Sequence, residues 1–284
     1  MLSIVIKIKL LQQIKYYVKI IEILTNASLL VYEEINKILG TRKATIKCGV
    51  GAGGDVSRKI DIVAEKTIID YFKKIDFECA IFGEECGKIE LSKKSNGILI
   101  MDALDGTTNA ICGIPFFCCS LAYSTKEDFR SINDCVIMDL VSKDIYHASK
   151  GKGAYYNNKK IKINKKKTDE IIVSVNISGS TDILTKLLPI FETHSHMRHF
   201  GANALEMAFF ARGLIDIVLD LRSKIRIQDI AAGYLLIDEA GGLILNRYLK
   251  SLNGSFYDKD LSFIAANKEI IKFISKRVNA LGGI

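Results

Sequence analysis

Asp102 and Asp105 stand just behind an apolar run, Ile98-Leu99-Ile100-Met101, and Gly106, Thr107 and Thr108 follow at once. Carboxylate and carbonyl oxygens are the ligands that hard divalent cations prefer. Backbone N–H groups at a helix start are the donors that phosphate oxygens prefer. Both kinds of group fall within residues 102–108. The two aspartates frame a turn in which the Leu104 carbonyl can point toward the same space. The N–H groups of Gly106 and Thr107, at the start of a helix, would hold phosphate oxygens.

Glu84 and Asp229 sit beside predicted strand or helix ends and complete an all-oxygen cage if the fold brings them to this turn. Four converging acids without basic partners are prohibitive unless cations fill the gap. Two or three Mg²⁺ ions resolve that repulsion. Such a cluster polarises a phosphate ester and lowers the pKa of a bound water, which then attacks phosphorus in line.

The elements that must position these groups follow from hydrophobic spacing. Residues 9–39 carry Leu11, Ile14, Val18, Ile21, Leu24 and Ala27 at helical intervals and stop at Gly40, with residues 1–8 as an extra strand or a frayed extension. A second helix spans 61–74, and Asp61 in its first turn suits the helix dipole. A short strand at 79–82 runs into Gly83-Glu84-Glu85, and residues 98–101 form a buried strand. Strands at 116–124, 134–140, 144–149 and 154–156 have no helices between them, which argues for an antiparallel sheet. The second half alternates: strands at 171–176, 197–200, 215–221, 243–245 and 262–265, and helices at 181–191, 203–211, 228–240 and 268–281. The fold class is therefore α+β, with a domain of residues 1–167 and another of residues 168–284 that meet near residues 165–170.

Other signals are weaker. Gly49-Val-Gly51-Ala-Gly53-Gly54 matches the spacing of a dinucleotide-binding loop, but no βαβ unit follows. We read it as a flexible loop able to close over a site. His194, His196 and His199 suit neither one helix face nor a zinc spacing and read as loop and surface residues. The net charge of +8 is spread over dispersed lysines, and the densest run, 159–167, reads as a solvated hairpin and linker; we expect no nucleic-acid partner. Seven cysteines show no framework spacing, and residues 1–11 are broken by Lys7 and Lys9. These features lead us to expect a reducing, cytoplasmic setting and no membrane span.

Gly83-Glu84-Glu85, Asp102-Ala-Leu-Asp105-Gly106-Thr107-Thr108-Asn109, and Gln228-Asp229-Ile-Ala-Ala-Gly233 with Glu239-Ala-Gly-Gly242 together resemble the signatures of inositol monophosphatases. The pattern, including residues 201–213 and 216–222, is more similar to the archaeal branch, which is associated with both inositol monophosphate and fructose 1,6-bisphosphate hydrolysis. The resemblance implies a layered α-β-α-β-α sandwich of the sugar phosphatase type. It also implies a Mg²⁺-dependent, lithium-sensitive phosphomonoesterase, a homodimer, acting on a small phosphorylated sugar or polyol.

By position, the resemblance makes Glu84, Asp102, the Leu104 carbonyl, Asp105 and Asp229 the metal ligands. Thr107 and Asp61 match the pair that orients and activates water, with Glu84 assisting through its metal. Asp105, Gly106 and Thr107 match the phosphate cradle, and Ala204 and Asp220–Arg222 the part that meets the sugar or inositol. Ala103 stands where the family usually has proline, Gln228 where tryptophan is common, and Ala202 where a small hydroxyl residue is frequent. Arg222, and likewise Arg198, would favour a second phosphate. A 3′-phosphoadenosine 5′-phosphate phosphatase is the alternative within the superfamily, and a dinucleotide- or nucleic-acid-binding protein the alternative outside it.

Overall fold

The computed structural model describes residues 2–163, 170–178, 195–258 and 261–280. The first half runs α1 (Leu2–Asn36), β1 (Lys47–Val50), β2 (Val56–Arg58), α2 (Lys59–Lys74), β3 (Ala80–Gly83), β4 (Gly87–Glu90), β5 (Ile98–Asp105) and α3 (Thr107–Cys112). It continues through β6 (Cys118–Ser124), β7 (Ile132–Asp139), β8 (Ile145–Ser149), β9 (Gly153–Tyr156) and β10 (Lys159–Ile161). The second half comprises β11 (Ile171–Asn176), β12 (Ser195–Arg198), α4 (Asn203–Ala211), β13 (Ile217–Ile225), α5 (Ile227–Ala240), β14 (Leu243–Leu245), β15 (Leu261–Ala266) and α6 (Lys268–Ala280).

Every residue of β5 is buried, which requires cover on both faces of its sheet. That sheet has the order β10-β9-β8-β7-β6-β5-β3-β4 and is antiparallel except where β3 meets β5. Because side chains alternate across a strand, Leu99 and Met101 join Leu24, Val31, Ala64, Ile68 and Phe72 of α1 and α2 on one face. Ile98 and Ile100 join Leu205, Met207, Ile230 and Leu235 of α4 and α5 on the other.

The same two helices cover a second sheet, ordered β12-β11-β13-β15-β14, through Val218, Phe263 and Ala265. The opposite face of that sheet buries Ile217, Leu219 and Ile264 against Ile270 and Ile274 of α6. The stack is therefore helix, sheet, helix, sheet, helix, the expected α-β-α-β-α sandwich. Each fully buried Ile, Leu or Phe contributes about 1.5–3 kcal/mol relative to exposure, so both faces of both sheets are held by the same apolar drive.

Several elements differ from the sequence reading. Residues 2–8 continue α1 as helix. The glycine-rich stretch is the tip of an antiparallel β1–β2 hairpin, which leads into β2 and not into a helix start as a dinucleotide site would. β5 runs on through both aspartates: Asp102 pairs with Ser120 and Asp105 with Cys118, with a register shift between them. Such a shift re-aims the groups inside it, here Ala103 and Leu104. β4 adds an unanticipated edge strand, while β10 pairs antiparallel with β9 and places a hairpin at the start of the lysine-rich run, as expected. The helix at 181–191, His194 and most of the boundary at 165–170 lie outside the described residues. Among the described residues, no helix is long and apolar enough to cross a membrane.

Candidate active site

Asp61 and Asp229 reach the same cleft by the same local device. Each is the third residue of its helix, and each carboxylate accepts the backbone N–H of an arginine three residues earlier: Arg58 to Asp61 Oδ2 at 2.8 Å, Arg226 to Asp229 Oδ2 at 2.9 Å. The cap fixes one oxygen and leaves the other facing inward. Glu84 comes from the turn after β3, and Asp102 and Asp105 from the irregular end of β5.

One oxygen each of Glu84, Asp102 and Asp229 lies within 4.8 Å of the others. Burial raises the pKa of every acid in the group. Glu84 is pushed up to about 7, with Asp229, Glu85 and Asp61 adding to burial and Arg226 opposing it. Asp102 is held well above the ordinary carboxylate range by burial and then by Glu84 and Asp105, and Asp105 by burial and then by Asp229. Arg226 supplies partial compensation: Nη2 lies 2.7 Å from Glu84 Oε1, Nη1 3.1 Å from Asp55 Oδ2 and Nε 3.8 Å from Asp229 Oδ2. Hard oxygen donors, mutual repulsion and burial are together what a divalent cation relieves. The residues present fit such an ion.

Thr107 opens α3, and its hydroxyl lies 2.7 Å from Asp61 Oδ1 and 3.2 Å from the Leu104 carbonyl. Gly106 precedes it with φ of +92°, and a β-carbon there would sit 3.0 Å from the Phe116 carbonyl oxygen. Only glycine meets both conditions. The first N–H groups of a helix have no partner within it, so this turn presents donors beside the acids.

The cleft of about 360 Å³ is lined by Asp61, Glu84, Asp102, Leu104, Asp105, Gly106, Thr107, Arg222 and Asp229. That is a suitable volume for a small substrate. Ala204 is buried behind the wall, and its backbone N–H donates to Asp105 Oδ2 at 2.7 Å. Asp220 is fully buried and grips the Arg222 guanidinium through Nε at 3.0 and 3.1 Å and through Nη2. Arg198 is not brought to the cleft; it is exposed, and its guanidinium donates to the Met197 carbonyl at 2.8 Å. His196 faces outward near Glu170, and His199 meets Ser178.

The sequence reading missed several walls of the cleft: Asp55, Arg58, Glu85, Asn176, Asn203 and Arg226. The repeated Arg-x-x-Asp spacing at 58–61 and 226–229 is a signal that finds two of them. The β1–β2 hairpin tip is docked rather than loose: Gly53 and Ala52 donate to the carbonyls of Glu84 and Glu85 at 2.9 and 3.0 Å.

A five-layered sandwich with an acid-lined cleft between its halves defines a class of sugar phosphatases, and the comparisons with known proteins narrow it. The inositol monophosphatase family model matches residues 17–281, and the chain belongs to that family. The chain is 33% identical to the fructose-1,6-bisphosphatase/inositol-1-monophosphatase of Methanocaldococcus jannaschii, over 89% of this chain and 97% of that one. It is 28% identical to a bifunctional NADP phosphatase/NAD kinase of Methanococcus maripaludis, over 89% of this chain but 48% of that longer protein. A crystal structure of an inositol monophosphatase–fructose 1,6-bisphosphatase superimposes with a TM-score of 0.79 at 31% identity, over 90% of this chain and 98% of that one. A Pyrococcus horikoshii protein described as similar to inositol-1 monophosphatase gives 0.76 at 30% identity, over 92% and 98%. The family is metal-dependent, and this chain is a phosphoric monoester hydrolase.

Proposed function

We propose that the chain is a Mg²⁺-dependent phosphatase that hydrolyses inositol monophosphate, fructose 1,6-bisphosphate or both. One observation carries this reading. The oxygens of Glu84, Asp102 and Asp229 converge within 4.8 Å in the cleft that also holds Asp105 and the Thr107–Asp61 pair.

Glu84, Asp102, the Leu104 carbonyl, Asp105 and Asp229 would hold two or three Mg²⁺ ions. When bound, the metal polarises the phosphate ester and lowers the pKa of the attacking water. The protein's own groups do the rest. Thr107 Oγ1 donates its hydrogen to Asp61 Oδ1, which leaves its lone pairs to accept a hydrogen bond from water in the cleft. Asp61, its pKa raised by burial, then receives a proton through that hydroxyl. The N–H groups of Gly106 and Thr107 face the phosphate oxygens, where negative charge grows as the ester bond breaks. Arg222, held rigid by Asp220, offers an anion contact in the wall of the cleft, which favours a second phosphate on the substrate.

A nucleotide phosphate is the second reading, supported by the similarity to NADP phosphatases. Among the described residues no aromatic side chain lines the cleft to stack on adenine, which weighs against 3′-phosphoadenosine 5′-phosphate. The first reading also carries lithium inhibition, a homodimer and a cytoplasmic location.

A phosphate-release panel with Mg²⁺, with and without lithium, tests the proposal on inositol 1-phosphate, fructose 1,6-bisphosphate, NADP and 3′-phosphoadenosine 5′-phosphate. Release from either of the first two, suppressed by lithium, is the expected result. Release confined to the nucleotides would overturn the substrate assignment.

A further inference from the structure

Glu84 hangs on a turn of residues 83–86 whose backbone is held almost entirely from outside. Both oxygens of Glu65 accept backbone N–H groups of the turn, from Glu85 and from Cys86, each at 2.8 Å. Gln228 Nε2 donates to the Gly83 carbonyl at 3.1 Å. Glu65 is 4% exposed and Gln228 5%, so both grips are shielded from water. The approach is close: a β-carbon on residue 83 would lie 2.4 Å from Glu65 Oε1.

The placement of the two grips matters more than their number. Glu65 stands four residues after Asp61 on α2, one helical turn along the same face. Gln228 stands immediately before Asp229 on α5. Each helix therefore sends one carboxylate into the cleft and one side chain to the turn that presents Glu84. The three elements that must converge on a cation are locked to one another by side chains that do not face the cleft.

We propose that Glu65 and Gln228 are positioning residues that set the distance of Glu84 from Asp61 and Asp229, and with it the affinity of the cleft for divalent cations. This rests on the metal-dependent reading of the site. Glu65 is suited to the task because an ionised carboxylate accepts on both oxygens. A glutamine there accepts from one N–H and turns its own amide toward the other. At residue 228 a methionine keeps the volume and removes the donor.

The test is Mn²⁺ binding, followed by electron paramagnetic resonance of the free ion, in the wild type, Glu65→Gln and Gln228→Met. Thermal melting and amide hydrogen exchange of residues 85 and 86 are measured alongside. Substituting partners that orient metal ligands costs roughly 10–100-fold in affinity, so each variant should bind Mn²⁺ at least about tenfold more weakly. The Glu85 and Cys86 amides should be well protected in the wild type and exchange faster in Glu65→Gln. A folded variant that melts lower but binds Mn²⁺ as tightly as the wild type would overturn the proposal by showing a merely structural role. If neither variant folds, Glu65→Asp, which keeps both acceptor oxygens on a shorter arm, decides on the same readout: weaker Mn²⁺ binding by the folded protein upholds the proposal, and unchanged binding overturns it. A wild type that binds no Mn²⁺ would instead bring down the reading of the site itself.

Discussion

The backbone N–H of Ala204 donates to Oδ2 of Asp105 at 2.7 Å, across a sequence separation of 99 residues. Ala204 lies in the first turn of α4, where the N–H has no helical partner, so a carboxylate from the other half satisfies it. This contact fixes one oxygen of Asp105 and leaves the second to the cleft. Asn109 reinforces the same seam, because its Nδ2 donates to the carbonyls of Phe116 and Phe200 at 2.8 and 2.7 Å. Neither half holds a complete site.

Thr107 and Asp61 act as one unit. Thr107→Val removes the hydroxyl with little change of volume and should lower kcat by roughly 10²–10⁴, the usual contribution of a positioned proton acceptor. Thr107→Ser should retain most of the rate. Asp61→Asn should cost a similar factor, and the double variant little more than either single one, because groups acting in series are not additive. Steady-state kinetics on the four variants checks this; additive losses would separate the two residues.

The metal-free protein should lose stability as pH rises. A carboxyl whose folded-state pKa lies above its unfolded value stabilises the fold below the unfolded value and loses that contribution as pH passes the folded one. Glu84, raised to about 7 mainly by burial, and Asp134, raised to about 6 by burial against a bond from Ser149, both behave this way. Melting temperature should therefore fall between about pH 4 and about pH 8. Saturating Mg²⁺ should abolish the Glu84 part, because the cation favours the carboxylate, and leave the Asp134 part, on the order of 3 kcal/mol. A pH profile with the same slope with and without Mg²⁺ would contradict this.

Arg222 and Arg198 should separate cleanly. Arg222 lines the cleft and is clamped by Asp220, whereas Arg198 is exposed. Arg222→Gln should lower kcat/KM for fructose 1,6-bisphosphate by roughly tenfold or more, the loss of one charge-assisted hydrogen bond. It should affect inositol 1-phosphate less. Arg198→Gln should leave both unchanged, as measured by competing the two substrates.

Much of this was legible in the sequence where periodicity was clean. β11, α4 and β14 occupy the expected residues because apolar spacing and flanking glycines bound them. β5 was read short because two aspartates look like a strand end, while a register shift lets them stay in the ladder. The β1–β2 hairpin carried no apolar signal, since all four residues of β1 are exposed. Arg198 was misplaced for a simple reason: β12 alternates, and its pleat turns His196 and Arg198 to the exposed face. Glu65 looked like an ordinary helix residue, and Gln228 stood out only as a departure from a common tryptophan, because what gives both their role is a backbone turn twenty or more positions away. Among the acids, the chemistry of the side chains was visible, and the means of holding them apart was not.

The decisive measurement is the initial rate of phosphate release from inositol 1-phosphate over a Mg²⁺ titration, for the wild type and Asp105→Asn, with circular dichroism to establish that both are folded. Asp105→Asn can still accept the Ala204 N–H, so the fold should persist while the cage loses a charge. The wild type should rise from background with added Mg²⁺, and the variant should stay about a thousandfold lower, a loss of roughly 4 kcal/mol in the barrier. A folded Asp105→Asn protein with wild-type rates, or a wild type equally active after chelation, would contradict a metal-assisted phosphatase site at these acids.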